Sequence, residues 1–123
     1  MSRQAFVICQ LHEIGDPGSK EFSIGSGDWP LRGFIVRKGE HAFAYLNRCP
    51  HAGHPLNFPP SGDFLSLDRQ FILCRSHGAV FELTSGSCVA GPCTGRALRS
   101  FAVSISNGEI VLDLDPELAK QLV

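Results

Sequence analysis

Two short segments, Cys49-Pro50-His51 and Cys74-Arg75-Ser76-His77, constrain this chain more than anything else in it. Each offers a thiol followed closely by an imidazole, and residues 52–73 lie between them. For the four side chains to converge, the fold has to hold two loops side by side on rigid supports. Cysteine thiolate is a soft ligand and neutral imidazole a borderline one, so the set suits zinc or an iron–sulfur centre and disfavours calcium and magnesium. Zinc sites with this donor set usually space their histidines about three to five residues apart on a helix. Here each histidine follows its own cysteine on a loop. That split lets two cysteines hold one iron of a [2Fe–2S] core and two histidines the other. A third histidine, His54, follows within "RCPHAGHPLNF" and reads as a solvent-facing loop residue.

The supports are expected to be strands. Thirteen glycines and eight prolines break the chain into short runs that alternate or are rich in branched and aromatic residues, the pattern of an all-β domain. Strands are expected at Phe6 to His12, Phe22 to Ile24, Phe34 to Lys38, Phe43 to Asn47, Phe71 to Cys74, Val80 to Glu82, Phe101 to Ser106 and Glu109 to Leu114. Turn residues join the pairs: Lys38-Gly39-Glu40, "LTSG" after Glu82, and Asn107-Gly108, the strongest hairpin signal in the chain. Between the two ligand segments, "NFPPSGDFLSLDR" reads as a long loop, residues 57–69. At the end, Asp115-Pro116-Glu117 precedes "LAKQLV". An N-cap type, a proline suited to the first helical position and an acid near the positive helix end predict a short C-terminal helix there. The 123 residues suit one domain, and no repeat or linker divides them.

Charge names no partner. With 11 basic and 12 acidic side chains the net charge is −1, which gives neither an electrostatic footprint for nucleic acid nor a basic run for an anionic membrane. The apolar run near the N-terminus is too short for a signal peptide, and nowhere do about 18 apolar residues run together, so a cytoplasmic protein is expected. Five cysteines are an odd count that fits a disulfide framework poorly and suits a reducing compartment. Cys9 reads as strand core. Cys88 and Cys93 flank "VAGP", where a disulfide is conceivable, and two small buried free thiols are the favoured reading. Trp29 and the nine phenylalanines are read as packing residues.

Together these segments resemble the Rieske-type [2Fe–2S] proteins, particularly the soluble Rieske ferredoxins. "CPHAGHPL" is similar to the first cluster loop of that family and "CRSHGAVFELTSGSC" to the second. "AGPC" with "RALRSFAVSISNGEIVL" resembles the proline loop and closing hairpin. Carried over by position, Cys49 and Cys74 match the thiolate ligands of one iron, His51 and His77 the imidazole ligands of the other, and Gly91 and Pro92 the loop that covers the cluster. The resemblance implies an antiparallel β-sandwich or barrel with an inserted cluster-binding subdomain, approximately residues 47–93. The ligand pairs are spaced several residues further apart than is typical of these ferredoxins, a difference assigned to "FPPSGDFL". In the cytochrome-complex branch two further cysteines form a disulfide between the cluster loops. The matching positions here are His54 and Ser76, which places the chain with the ferredoxin and oxygenase branch.

The resemblance also implies a redox character. A donor aimed at the cluster sulfurs stabilises the reduced form and raises the potential. High-potential relatives carry a serine and a tyrosine after the second histidine, whereas this chain reads His77-Gly78-Ala79-Val80-Phe81. Without those hydroxyls a potential near the low end of the Rieske range, about −150 mV, is expected. Histidine ligation leaves a neutral oxidised site and a singly negative reduced one, and reduction should raise the imidazole pKa, so the potential should fall at alkaline pH. A mononuclear iron site would need two histidines and a carboxylate; after the cluster ligands only His12, His41 and His54 remain, no such set is seen, and the chain has no room for the second domain a catalytic subunit needs. The implied function is an electron carrier rather than an enzyme, taking electrons from a flavin- or NAD(P)H-dependent reductase to a terminal oxygenase. Pro50, Ala52, Leu56, Pro92 and the two imidazoles are expected near the docking tip. The competing readings are a zinc module and a small structural or regulatory subunit resembling that of assimilatory nitrite reductase.

Overall fold

The computed structural model describes residues 4–25, 31–50, 55–57, 64–75 and 78–114. Six strands form one antiparallel sheet: β1 (Gln4–Gln10), β2 (Gly18–Ile24), β3 (Leu31–Lys38), β4 (His41–Leu46), β8 (Ser100–Ser106) and β9 (Glu109–Leu114), in the order β1-β9-β8-β4-β3-β2. The two edge strands face each other across a groove lined by Phe6, Val7 and Ile8 of β1 and by Phe22, Ser23 and Ile24 of β2, so the sheet curls toward a barrel. A second antiparallel sheet of three short strands, β5 (Phe71–Leu73), β6 (Val80–Glu82) and β7 (Cys88–Ala90), is inserted between β4 and β8. The only helical element among the described residues is a 3-10 turn at Leu11–Glu13. The expected all-β fold with an inserted subdomain is therefore what forms.

Local chemistry accounts for the elements. In β9 the residues Ile110, Leu112 and Leu114 point inward at a period of two, as a half-buried strand requires. Its hairpin with β8 turns through Asn107 and Gly108, both at positive φ (51° and 78°), the backbone that a tight two-residue turn demands and Asn-Gly supplies. In β1 the register slips between Val7 and Cys9, a bulge that turns Cys9 into the core although Ile8 also packs there. The expected strand to His12 stops at Gln10 instead, because Leu11 begins the 3-10 turn and the Glu13 carboxylate accepts a hydrogen bond from the Gln10 N–H at 2.7 Å.

Strands β3 and β4 are buried on both faces. Leu31 and Ile35 of β3, with Ala44 and Leu46 of β4, face the barrel interior beside Phe22, Phe101, Ile110 and Leu112. Phe34 and Val36, with Tyr45, face the other way into the core of the inserted subdomain, beside Leu56, Phe64, Ile72 and Phe81. Phe64 stacks on Phe34 with ring centroids 4.2 Å apart and planes 9° from parallel. The segment read as one long loop thus has a firm end: Phe64 and Leu65 are buried, and Leu65 bridges Ile72 of β5. Trp29, residues 58–63 and the expected helix after Leu114 lie outside the described residues.

Candidate metal centre

Cys49 and Cys74 sit at the roots of two neighbouring loops and are both buried, in one shared core. The first loop leaves β4 through Asn47, whose N–H donates to Arg32 O at 3.0 Å. The Asn47 side chain then spans the loop: its Oδ1 accepts from Leu56 N–H at 2.8 Å, and its Nδ2 donates to Asn57 Oδ1 at 2.9 Å. Asn57 in turn donates from Nδ2 to Glu21 Oε2 on β2 at 2.7 Å. These are the two buried polar residues among those described, and the network satisfies them as burial demands. It ties Asn47, at the end of β4, to Leu56 and Asn57.

The second loop is a hairpin end. Beyond the last β5–β6 pair, Leu73 with Val80, the Cys74 N–H donates to Ala79 O at 2.8 Å and the Gly78 N–H to Cys74 O at 2.9 Å. Arg75 locks the two loops together, its N–H donating to Leu56 O at 2.8 Å and its Nη2 to Leu65 O at 2.9 Å. Ala79 and Phe81 are fully buried, so the positions after this loop bring no hydroxyl to the site.

A third segment, residues 88–96, closes over both. Its ends meet where the Cys88 N–H donates to Arg96 O at 2.8 Å, and the Arg96 guanidinium donates to Pro50 O in the first loop at 2.9 Å. Gly91, at φ 95°, passes so close to the second loop that a Cβ would lie 2.8 Å from Ala79 Cα. Only glycine allows both that conformation and that approach. Cys88 and Cys93 are buried free thiols, with sulfurs 3.1 Å apart. Burial, with the neighbouring Cys88 and then Cys49, pushes the Cys93 thiol up to about 12.

Of the four sequence-derived ligands, Cys49 and Cys74 are brought together, while His51 and His77 lie outside the described residues, as do His54, Ala52 and Ser76. Of the residues expected near a docking tip, Pro92 is exposed but Leu56 is not. It is fully buried, because Asn47 captures its backbone and turns its side chain into the core. The sequence reading missed the Asn47–Asn57 network and the Arg96 clasp. An asparagine directly after the apolar run "AFAYL" was the available signal for the first, and nothing marked the second.

The donors present fit an iron–sulfur group. Among the described residues, the buried core around Cys49 and Cys74 offers sulfur and no carboxylate, a soft set that would not hold calcium or magnesium. No helix among the described residues is long and apolar enough to cross a membrane.

Known structures share this fold. The ferredoxin of carbazole 1,9a-dioxygenase from Nocardioides aromaticivorans IC177 superposes with a TM-score of 0.67 at 21% identity, covering 91% of this chain and 97% of that one. The complex of reduced oxygenase and oxidized ferredoxin in carbazole 1,9a-dioxygenase gives 0.66 at 24% identity, covering 88% and 91%. The terminal oxygenase of the carbazole enzyme from Novosphingobium sp. KA1 gives 0.73 at 18% identity, and there the match covers 92% of this chain but 30% of the other. No curated protein matches the sequence. Residues 4–105 match the family described as Rieske [2Fe-2S] domain, so the chain belongs to that family and its cofactor is a Rieske-type [2Fe–2S] cluster.

Proposed function

We propose that Cys49, His51, Cys74 and His77 hold the cluster, and that the protein carries single electrons from a flavin- or NAD(P)H-dependent reductase to a terminal oxygenase. The observation that carries this reading is the placement of two buried cysteines on adjoining loops, each followed in sequence by a histidine. The cluster, when bound, accepts and returns one electron. The chain's own residues do the rest. Asn47, Arg75 and Arg96 hold the three loops in fixed relation, so little structure has to rearrange when the charge changes. The exposed Pro92 and the half-buried Pro50, whose carbonyl Arg96 holds, supply a surface through which a partner can approach.

Anaerobically purified protein should show the visible and electron paramagnetic resonance spectra of a Rieske centre. His51→Ala should abolish them and His54→Ala should leave them intact. A spectrum that persists in His51→Ala rejects that ligand, and a colourless protein rejects the carrier reading in favour of the zinc-module or structural-subunit alternatives. Because Ala79 and Phe81 bring no hydroxyl, film voltammetry should place the potential near the low end of the Rieske range, about −150 mV. A clearly positive value at neutral pH rejects that expectation.

A further inference from the structure

The three segments that build the metal centre carry charge of one sign. Residues 47–57, 74–81 and 88–99 contain four arginines, Arg48, Arg75, Arg96 and Arg99, and no aspartate or glutamate. The whole chain stands at −1, so the remaining residues, with seven basic and twelve acidic side chains, stand at −5. The fold turns that segregation in sequence into one in space. Leu46 N–H donates to Arg99 O at 2.8 Å, Arg48 N–H donates to Leu46 O at 2.9 Å, and Asn47 N–H donates to Arg32 O at 3.0 Å. A fifth arginine, from β3, thereby joins the rim at the root of the first loop. Arg96 reaches Pro50 O in that loop, and the Arg75 N–H is tied to Leu56 O. All five side chains are exposed. Among the described residues, the hydrogen bonds of these loops bring in the carboxylate of Glu21, whose Oε2 accepts from Asn57 Nδ2 at 2.7 Å.

The other end of β4 has the opposite balance. At the turns gathered there the carboxylates of Glu13, Asp16, Glu40 and Glu109 outnumber Arg37 and Lys38, and Asp16 Oδ1 accepts from Gly39 N–H at 2.7 Å. A guanidinium is not deprotonated in proteins, so among the described residues charge is permanently separated along β4, positive at the metal centre. A field of that kind orients a charged partner during encounter and raises the association rate by about 10- to 1,000-fold at low salt. We propose that the arginine rim is the docking face for an acidic patch on the protein that exchanges electrons with this chain. This rests on the carrier reading. A protein patch can end where the arginines end. A nucleic-acid duplex, with one negative charge per about 1.7 Å of its axis, would run past the rim onto the acidic remainder of the molecule.

The test mixes cluster-loaded, reduced full-length protein by stopped flow with two small oxidants of opposite charge, hexacyanoferrate(III) and tris(phenanthroline)cobalt(III). Raising the ionic strength from about 10 mM to about 150 mM shortens the Debye length from about 30 Å to about 8 Å. It should slow the anion about ten-fold and speed the cation. Arg48→Glu combined with Arg99→Glu should remove most of the anion's salt dependence, and Lys38→Glu, at the other end of the sheet, should leave most of it. Equal salt dependence for the two oxidants, or an effect of Lys38→Glu as large as that of the double variant, overturns the docking face. If the double variant does not fold, the two oxidants on the unaltered protein and a weakened anion dependence in Arg32→Gln decide. A polyglutamate peptide and a DNA duplex of equal total charge, titrated by calorimetry at equal ionic strength, separate the partner classes. Stronger binding of the peptide, lost in the arginine variants, supports the proposal. No binding of the peptide, or stronger binding of the duplex, overturns it. A colourless protein refutes the carrier reading instead, and the peptide titration, which needs no cluster, then still supports or overturns the cationic face.

Discussion

The two faces of β3 and β4 belong to different worlds. One face, with Leu31, Ile35, Ala44 and Leu46, packs into a mainly aliphatic barrel interior, with Phe22 and Phe101, that among the described residues contains one sulfur, Cys9. The other, with Phe34, Val36 and Tyr45, packs into an aromatic and sulfur-rich core that includes Cys49 and Cys74. The backbone is common to both, and side chains one position apart serve one core or the other. A single-residue slip of either strand would exchange the cores entirely. What the contrast teaches is a division of labour: the barrel side stabilises the sheet, and the same sheet then becomes a rigid floor for the loops.

That division can be broken from the loop side first, where the effect should be largest. Cys74→Ala should eliminate the Rieske spectrum while the far-ultraviolet circular dichroism of the β-sheet persists. Collapse of the sheet signal as well would mean that the barrel depends on the cluster, and the two cores would not be separable. Next come Phe34→Ala and Ile35→Ala, adjacent and both fully buried. Each should cost several kcal/mol of stability, about 3–5 for the phenylalanine and 2–5 for the isoleucine. Only Phe34→Ala, which removes the ring under Phe64, should also speed loss of cluster absorbance under mild heating. Equal bleaching rates in the two variants would erase the distinction between faces.

A smaller effect is expected from Asn47→Ala. It leaves the Leu56 N–H without the Asn47 oxygen and removes the hydrogen bond to Asn57 Oδ1, at about 1–3 kcal/mol, and should broaden the resonance lines of the cluster as the first loop loses its strut. Unchanged lines and stability would show that the loop is shaped by its ligands alone. Tyr45→Phe should be the mildest, about 1 kcal/mol for one hydrogen bond to Leu83 O. It carries a pH signature. Burial, reinforced by the charge of Glu82, pushes the Tyr45 phenol from 10 up to about 12. The protonated phenol therefore contributes stability that is complete below pH 10 and is lost as pH rises to about 12. Tyr45 is the chain's only tyrosine, so its near-ultraviolet absorbance reports that titration directly, and a midpoint near 10 would show the phenol to be solvated.

How much of this was legible in the sequence differs between the same two cores. Val80–Glu82 and Glu109–Leu114 were readable to the residue, because a turn signal adjoins each and both are rich in branched or aromatic residues. By contrast, β2 begins at Gly18 rather than Phe22, because its partner β3 is long enough to pair with the whole of Gly18–Ile24. Pairing of that kind is set by a distant segment and leaves no mark in "GSKE". Strand β7 went unread for a similar reason: Cys-Val-Ala has no period of its own and is a strand because Val80 and Phe81 offer it a ladder. At the site, cysteine–histidine spacing announced the candidate ligands, but the polar struts did not announce themselves. Asn57 and Arg96 look like ordinary loop residues until the fold sets Glu21 beside one and Pro50 beside the other.

The doorway of the inserted subdomain has a further consequence. Leu46 N–H donates to Arg99 O at 2.8 Å, and Tyr45 pairs with Ser100, so the chain leaves and re-enters the sheet at a single rung. Everything between those residues is, in polymer terms, a closed loop whose ends the sheet already holds together. The entropy of closing such a loop grows only with the logarithm of its length, about 0.6 kcal/mol per doubling. Lengthening the stretch between Asn57 and Phe64 therefore costs the chain very little, provided that stretch stays clear of the packed core. That is the physical reason a longer interval between the two cysteine–histidine pairs can be carried here with both cysteines still at the roots of their loops.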